Sequence, residues 1–375
     1  MFRFLRVNTE QIWENPLVAR RFQHYLGVLR GEKVARYRIV KKTPVENVDI
    51  EELPLSELWV HHRETRKKFE ELETKIGEGK DALEGLPKPE VSFLDLKTQI
   101  ANKILTNCHF CERRCHVNRT TGKLGFCRLA DKSAVTSAFL HYGEEPPLIP
   151  SGTIFFLSCT FRCVFCQNWS ISQKWGDIDV LNEGYFVSPK SLSRIMENLA
   201  KEAKNINWVG GDPTPNIHTI LGALTYFDLN VIQLWNSNMF VSSEGMDLLF
   251  DVMDFWLPDL KFHENKFAHE MTKAKNYWEI ATRNIKLAYD NGFQEMIIRH
   301  LVMPGRVKSD TLPILDWCAA NVEHAFVNIM GQWRPEHKIH GDPHFQSLDK
   351  RVTAKEMDQA RRYADQLGIH WREVR

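Results

Sequence analysis

The chain has 375 residues, 43% of them apolar, and a formal net charge of +1 from 49 basic and 48 acidic side chains. That length exceeds the common single-domain size, so one large domain with an appendage, or two domains, is expected. Charge this evenly balanced excludes a strongly basic nucleic-acid surface, and no apolar stretch approaches a membrane span, so neither partner is expected. The opening run MFRFLRVNTEQIWENP carries no apolar leader, which makes the cytoplasm the expected location.

Residues 1–100 are rich in charge and read as a mainly helical N-terminal extension. Ser56 to Ile76 predicts a helix with Leu58, Phe69, Leu72 and Ile76 on one broad face. Gly77 to Glu90, with its glycines, prolines and charges, predicts a linker or exposed loop.

The eight cysteines fall into two groups and a singleton, a pattern that indicates metal binding and not a disulfide framework. Cys108, Cys111, Cys115 and Cys127, in the segment 101–135, follow a C-x2-C-x3-C-x11-C spacing that supplies four thiolates. Zinc closes its shell with four such ligands, and an iron–sulfur cluster takes four cysteines as readily; both metals stay open. Arg113, Arg114, Arg119 and Lys123 interleave these cysteines, and positive charge favours thiolate over thiol. Cys159, Cys163 and Cys166 follow a C-x3-C-x2-C spacing and supply three thiolates. Three ligands on one tight loop hold three irons of a cubic cluster and leave the fourth open. Cys318, between Trp317 and Ala319 in a helical stretch, reads as core packing.

From Gly152 onward short apolar runs recur at Ile154–Leu157, Ile206–Val209, Val231–Leu234, Phe255–Leu257, Met296–Val302 and Ala325–Ile329. Helical patterns fall between most of them, one starting at Ser188-Pro189 and another spanning Asn276 to Asp290. Alternation of this kind predicts parallel βα units, an α/β chain with a partial (β/α)6 barrel over residues 150–335. A C-terminal loop and helix over 336–375 complete the chain, the helix opened by a capping box from Thr353 to Glu356 and ending near Gly368.

In such barrels chemistry gathers where strands end. The first strand runs into the three cysteines. The second ends in Gly210-Gly211-Asp212-Pro213, where glycines admit a ligand to the backbone and a carboxylate can pair with an ammonium; a plain turn has the same composition. The third ends in Trp235-Asn236-Ser237-Asn238 and the fourth in Pro258-Asp259-Leu260-Lys261. The fifth carries Arg299, His300 and the Pro304-Gly305 turn, and the sixth ends at Asn328 to Pro335, before His337, His340 and His344. Strand-end caps, a structural ion pair at Arg299 and a solvated histidine loop are the plain alternatives.

The C-x3-C-x2-C run with Phe165 before its last cysteine resembles the signature of the radical S-adenosylmethionine (SAM) family. Taken with Cys108–Cys127, Pro147–Gln173, Gly210–Pro215, Trp235–Asn238, Pro258–Lys261 and Met330–Pro335, it resembles the PflX-like relatives of pyruvate formate-lyase activating enzyme. The resemblance runs from about Cys108 to the C-terminus. It implies that Cys159, Cys163 and Cys166 hold a [4Fe–4S] cluster whose open iron takes SAM. It further implies that Gly210, Gly211 and Asp212 position the SAM amino group, Asp212 standing where the family has glutamate. Arg299 would meet the SAM carboxylate and Asn236 or Asn238 the ribose. Asn236 and Asp259, with Lys261 in a segment like the activases' Leu-Asp-Leu-Lys, would hold a monovalent cation or the ribose side. The activity implied is an oxidoreductase's: reductive cleavage of SAM to a 5′-deoxyadenosyl radical, then hydrogen abstraction from a substrate; activase kinship suggests a protein glycine, and a cofactor precursor, lipid or small metabolite fits equally. A one-electron donor such as ferredoxin or flavodoxin is the implied partner. In activases extra clusters follow the SAM cysteines, whereas here the four-cysteine group precedes them. An iron–sulfur electron carrier or redox sensor without SAM chemistry is the alternative; it accounts for both cysteine groups but not for the polar strand ends.

Overall fold

The computed structural model describes residues 11–46, 48–173 and 186–375; the first ten residues of the opening run lie outside them. Eight strands occur among the described residues: β1 (Ser133–His141), β2 (Ser151–Phe156), β3 (Phe186–Val187), β4 (Asn205–Gly210), β5 (Ile232–Ser237), β6 (Phe255–Pro258), β7 (Ile297–Leu301) and β8 (Phe326–Met330). β2, β4, β5 and β6 pair in parallel, and so do β7 and β8. Parallel bridges Trp256–Met296 and Asp259–Arg299 join the two runs into an open curl of six parallel strands. These are the six apolar runs of the sequence, each joined to the next by helix as the βα rule requires. The curl does not close. β1 lies antiparallel to β2, and β3 antiparallel to β1, at one end; alternating burial along the second half of β1 marks it as one-sided. Neither antiparallel strand was legible in the sequence.

The expected helices form at Leu55–Gly77, Pro189–Leu199, Tyr277–Asn291 and Ala354–Gln366. Ser188 and Thr353 each complete a capping box, satisfying amide groups that a helix start leaves unpaired. None of the helices among the described residues is long and apolar enough to cross a membrane.

The N-terminal segment packs into the same apolar core as the strands. Its helices cover the amino ends of the sheet. Phe22 meets Phe255 and Phe326 edge-on at 5.0 and 5.1 Å, and the Tyr25 hydroxyl accepts from Asn205 Nδ2 at 2.7 Å at the start of β4. Two carboxylates just ahead of strands fix the helices. Asp254 accepts from the Arg36 and Gln233 amides at 2.8 Å and pairs with His24 Nε2 at 2.9 Å. Glu295 accepts from the amides of His24 and Tyr25, at 2.5 and 2.9 Å. Farther round, Lys97 and Asp251 form a buried pair at 2.8 Å, with the Asp247 carbonyl accepting a second Lys97 hydrogen bond. With the amino ends of the strands covered in this way, their carboxyl ends open onto the cavity described below.

Burial drives the Glu295 carboxyl from about 4.5 up to about 8, against the two amide donors that favour its charged form. Between those values the folded chain holds a proton that the unfolded chain has released, so folding stability falls as pH rises through that window. Glu295→Gln removes the titrating group. Its thermal midpoint should fall less than the parent's between about pH 5 and about pH 8; equal slopes would refute this account of the helix dock.

Candidate active site

The cavity at the carboxyl ends of the strands has a volume of about 610 Å³. Cys159, Cys163 and Cys166 line it after β2, Gly210 and Gly211 at the end of β4, Asn236 and Asn238 after β5, Asp259 and Lys261 after β6, and Arg299 on β7. Of the strand-end residues to which the resemblance gives a role, the structure gathers all but Asp212 around one space.

The cysteine loop is held from three sides. The Arg162 and Val164 amides donate to Thr272 and Met271 carbonyls at 2.9 Å, at the end of the helix Asn265–Thr272, and Lys338 N donates to the Val164 carbonyl at 2.9 Å. Phe165 packs on Phe262 and Trp333, and Phe161 on Phe240 and Tyr277, which makes a dry backing behind the thiols. The glycine pair is needed for the same loop. Gly210 has φ +131, and a Cβ there would strike the Phe156 backbone, while one on Gly211 would strike the Ser158 carbonyl. The strand end therefore crosses the chain entering the cysteines at van der Waals distance.

Asp212 is buried and faces that loop. Its carboxylate accepts from the Thr160 hydroxyl at 2.5 Å and the Thr214 hydroxyl at 3.1 Å, and Asn238 Nδ2 donates to Thr160 at 3.0 Å. Burial lifts the Asp212 carboxyl to about 6, opposed by those hydroxyl bonds. Asp212 and Asn238 thus clamp the backbone between Cys159 and Cys163.

Arg299 is engaged by two acids that the sequence did not flag. Its Nε and Nη2 form a fork with Glu145 at 2.8 and 2.6 Å, and Nη2 also meets Glu144. Asn328 and Asn207 donate to the same carboxylates at 2.8 and 3.0 Å. Burial alone would raise the Glu144 carboxyl; the Arg299 guanidinium overrides it and holds it at about 2. Glu144-Glu145 precede Pro146-Pro147 in a turn after β1, and only that turn's position beside β7 gives them meaning. Lys261 pairs with Asp259 at 2.6 Å, both partly open to the cavity. His337 stacks on Trp169, His340 faces Asp349 and His344 faces Glu270, so each histidine of the C-terminal loop has its own partner. Gln332 from that loop lines the cavity. Burial pushes the Cys318 thiol up to about 12, away from the cavity, as core packing requires.

Burial raises the Cys159 thiol well above its ordinary range, and the charges of Asp212, Cys163 and Cys166 add to it. Thiols crowded in a dry wall ionise together only when a bound cation or cluster takes up their charge. The three-thiol set, free of disulfides, fits an iron–sulfur cluster with one open iron. Burial likewise raises Cys111, within the fields of Cys127, Cys108 and Cys115. Phe126 N points at Cys115 Sγ at 3.3 Å, and Arg119 Nη1 stands 3.8 Å from Cys108 Sγ. Among the described residues no group of three or more His, Cys, Asp or Glu side chains is placed so that it could hold a metal ion as the side chains stand; the loops supply donors and their mutual field.

Residues 153–318 match the family described as Radical SAM superfamily. Uncharacterized protein MJ0674 of Methanocaldococcus jannaschii is 41% identical over 347 residues, 92% of this chain and 97% of that protein. The chain belongs to the radical SAM superfamily. Members are enzymes that bind a [4Fe–4S] cluster and SAM, which matches the thiol set described above. Among solved structures it is similar to a domain of pyruvate-formate lyase-activating enzyme from Bacteroides vulgatus, with 14% identity, 45% of this chain and 98% of that chain covered, and a TM-score of 0.37. It is also similar to a radical SAM methyltransferase from Sphaerobacter thermophilus, with 10% identity, coverage of 58% and 64%, and a TM-score of 0.44.

Arg299→Ala would leave Glu144 and Glu145 buried without their cation. Removing one partner of a buried pair costs about 3–5 kcal/mol, read as a lower denaturation midpoint of the chain at neutral pH. Stability equal to the parent's would show that the cluster is slack.

Proposed function

We propose that this protein reductively cleaves SAM in the strand-end cavity and directs the resulting radical to a hydrogen atom of a substrate held in the same space. The observation that carries this reading is the set of three thiols facing a single cavity together with the glycine pair, Asn236 and Lys261. When bound, the cluster at Cys159, Cys163 and Cys166 would supply one electron and an open iron for SAM.

The chain's own groups would divide the remaining work. Gly210 and Gly211 would admit the SAM amino acid part to the backbone, and we assign the ribose to Asn236, which lines the same cavity. Arg299 already carries two carboxylates in its fork, so we assign the SAM carboxylate to Lys261, with Asp259 steering its ammonium. Asp212 and Asn238 act one step back, holding the loop that bears Cys159. Phe161 and Phe165 keep water from the thiols. The motif likeness of Pro258–Lys261 supports an activating role on a protein glycine, fed by a one-electron donor of the ferredoxin or flavodoxin kind. The four-cysteine group we read as a second iron–sulfur site.

Two measurements test this. Anaerobically reconstituted, dithionite-reduced protein should form 5′-deoxyadenosine from SAM, and Cys163→Ala should form none; product from the variant at the parental rate would end the assignment. Lys261→Ala should weaken equilibrium SAM binding by about tenfold to a hundredfold, the worth of one charge-assisted hydrogen bond. Unchanged affinity would return Lys261 to a structural pair with Asp259.

A further inference from the structure

Strand register divides the cavity into layers. β2 pairs with β4 so that Phe155 stands level with Val209, and Thr153 with Asn207 one layer down. β7 pairs with β8 so that Leu301 stands level with Met330, and Arg299 with Asn328 one layer down. Residues two apart on a strand share a face, so each upper residue sits over its lower one. Phe155, Val209, Leu301 and Met330 all line the cavity and make an apolar collar just inside the strand ends. Beneath it lie Arg299 and Asn328, with Glu144 and Glu145 laid across them.

That floor is acidic. Glu144 and Glu145 share the single guanidinium of Arg299, so one negative charge is left over among side chains that are nearly all buried. Burial works against ionisation at Glu144, yet the Arg299 guanidinium holds its carboxyl at about 2, so the acid stays charged at neutral pH. His141 Nδ1 stands 3.4 Å from Glu144 and adds charge only when protonated. Lys261 and Asp259 offset one another, and Arg375, the other cation in the lining, is exposed to screening solvent. The floor also has unused acceptors. Asn207, fully buried, gives its Nδ2 to Glu144 Oε1 at 3.0 Å and leaves its Oδ1 without a partner. Among the described residues Glu144 Oε2 and Glu145 Oε2 each receive only Arg299 Nη2, whereas a carboxylate oxygen accepts two donors. A buried acceptor left bare costs stability unless a donor reaches it.

We propose that the buried end of the substrate is a primary ammonium on an apolar stem. The stem passes the collar of Phe155, Val209, Leu301 and Met330, and the ammonium meets Glu144, Glu145 and the Asn207 carbonyl. This rests on the reading of the cavity as the SAM-cleaving centre. An ammonium carries its donors on one compact centre and suits single acceptors on separate atoms, whereas a guanidinium wants a planar pair. An anion would meet the surplus negative charge, and an apolar end would leave the Asn207 carbonyl bare. Two residues along a strand span about 7 Å, so the stem is several carbons long. A lysyl side chain of a protein and a free alkylamine share this chemistry.

The test uses the reconstituted full chain at neutral pH, with binding of pentylamine, pentanol and pentanoate followed by ligand-observed nuclear magnetic resonance. Pentylamine should bind at least about tenfold tighter than pentanol, as charge-assisted hydrogen bonds require, and pentanoate weakest. From ethylamine to pentylamine the affinity should rise about fourfold per methylene as the collar fills. Equal affinity for amine and alcohol, or a flat series, would overturn the subsite. Glu144→Gln should remove most of the preference for amine over alcohol, a ratio that loosened packing alone does not move. Leu301→Trp, which fills the collar and serves if Glu144→Gln fails to fold, should cut pentylamine affinity about tenfold or more. Undiminished binding there would put the amine elsewhere and overturn the subsite. The methylamide of N-acetyl-lysine separates the sources: affinity matching pentylamine's assigns the ammonium to a lysyl side chain, and much weaker binding assigns it to a free amine. A missing amine preference in a parent that forms 5′-deoxyadenosine would sink this subsite alone; missing 5′-deoxyadenosine would sink SAM cleavage instead.

Discussion

Asp254 and Glu295 decide how the molecule is oriented. Each sits just ahead of a strand and accepts from amides of the N-terminal helices, Asp254 also from the Gln233 amide of β5, so that those helices cover the amino ends of the strands. An open parallel sheet must cover both faces and one end to leave a usable cavity at the other. With that end closed by Phe22, Tyr25 and their partners, every strand delivers its last residues to the same side. The described residues between 11 and 100 are thus part of the scaffold on which the site stands.

On the open side the governing problem is negative charge. Seven thiols in two adjoining groups, with Asp212, Glu144, Glu145 and Asp259 nearby, would repel one another in a dry wall. The chain answers with arginines that each touch more than one acid or carbonyl: Arg299 between Glu144 and Glu145, Arg119 beside Cys108, Arg113 and Arg162 between the cysteine groups. Their planar forks allow several bonds from one charge, which lysine cannot match. Lysine appears where a single mobile ammonium faces the cavity, at Lys261.

The hydrogen bonds that shape the cysteine loop are distributed among strand ends far apart in sequence. Thr160 is tied to Asp212 after β4 and to Asn238 after β5, Val164 to the helix after β6 and to the C-terminal loop. A loop over-determined in this way holds its thiols at a fixed spacing, the condition a cluster needs if its geometry is to be imposed and not found. The same ties place Asp212 outside the cavity, in a supporting position.

The sequence by itself determined the donor sets, the βα order and the strand-end motifs, because each depends on residues only a few positions apart. Cysteine spacing carries ligand number, apolar runs carry strands, and capping boxes at Ser188 and Thr353 carry helix starts. Tertiary structure alone decided the rest. The sequence leaves an ion pair at Arg299 open but cannot name its partners, Glu144 and Glu145, which lie 155 and 154 residues away in the chain. The crossing at Gly210-Gly211 brings Asp212 to Thr160, a contact no local pattern shows. The shared wall of the two cysteine groups depends on one Ser158 hydroxyl and two arginines whose partners are backbone carbonyls, and a backbone carbonyl leaves no mark in an amino-acid sequence. Charge balance and backbone pairing are set across the fold, so no local pattern records them.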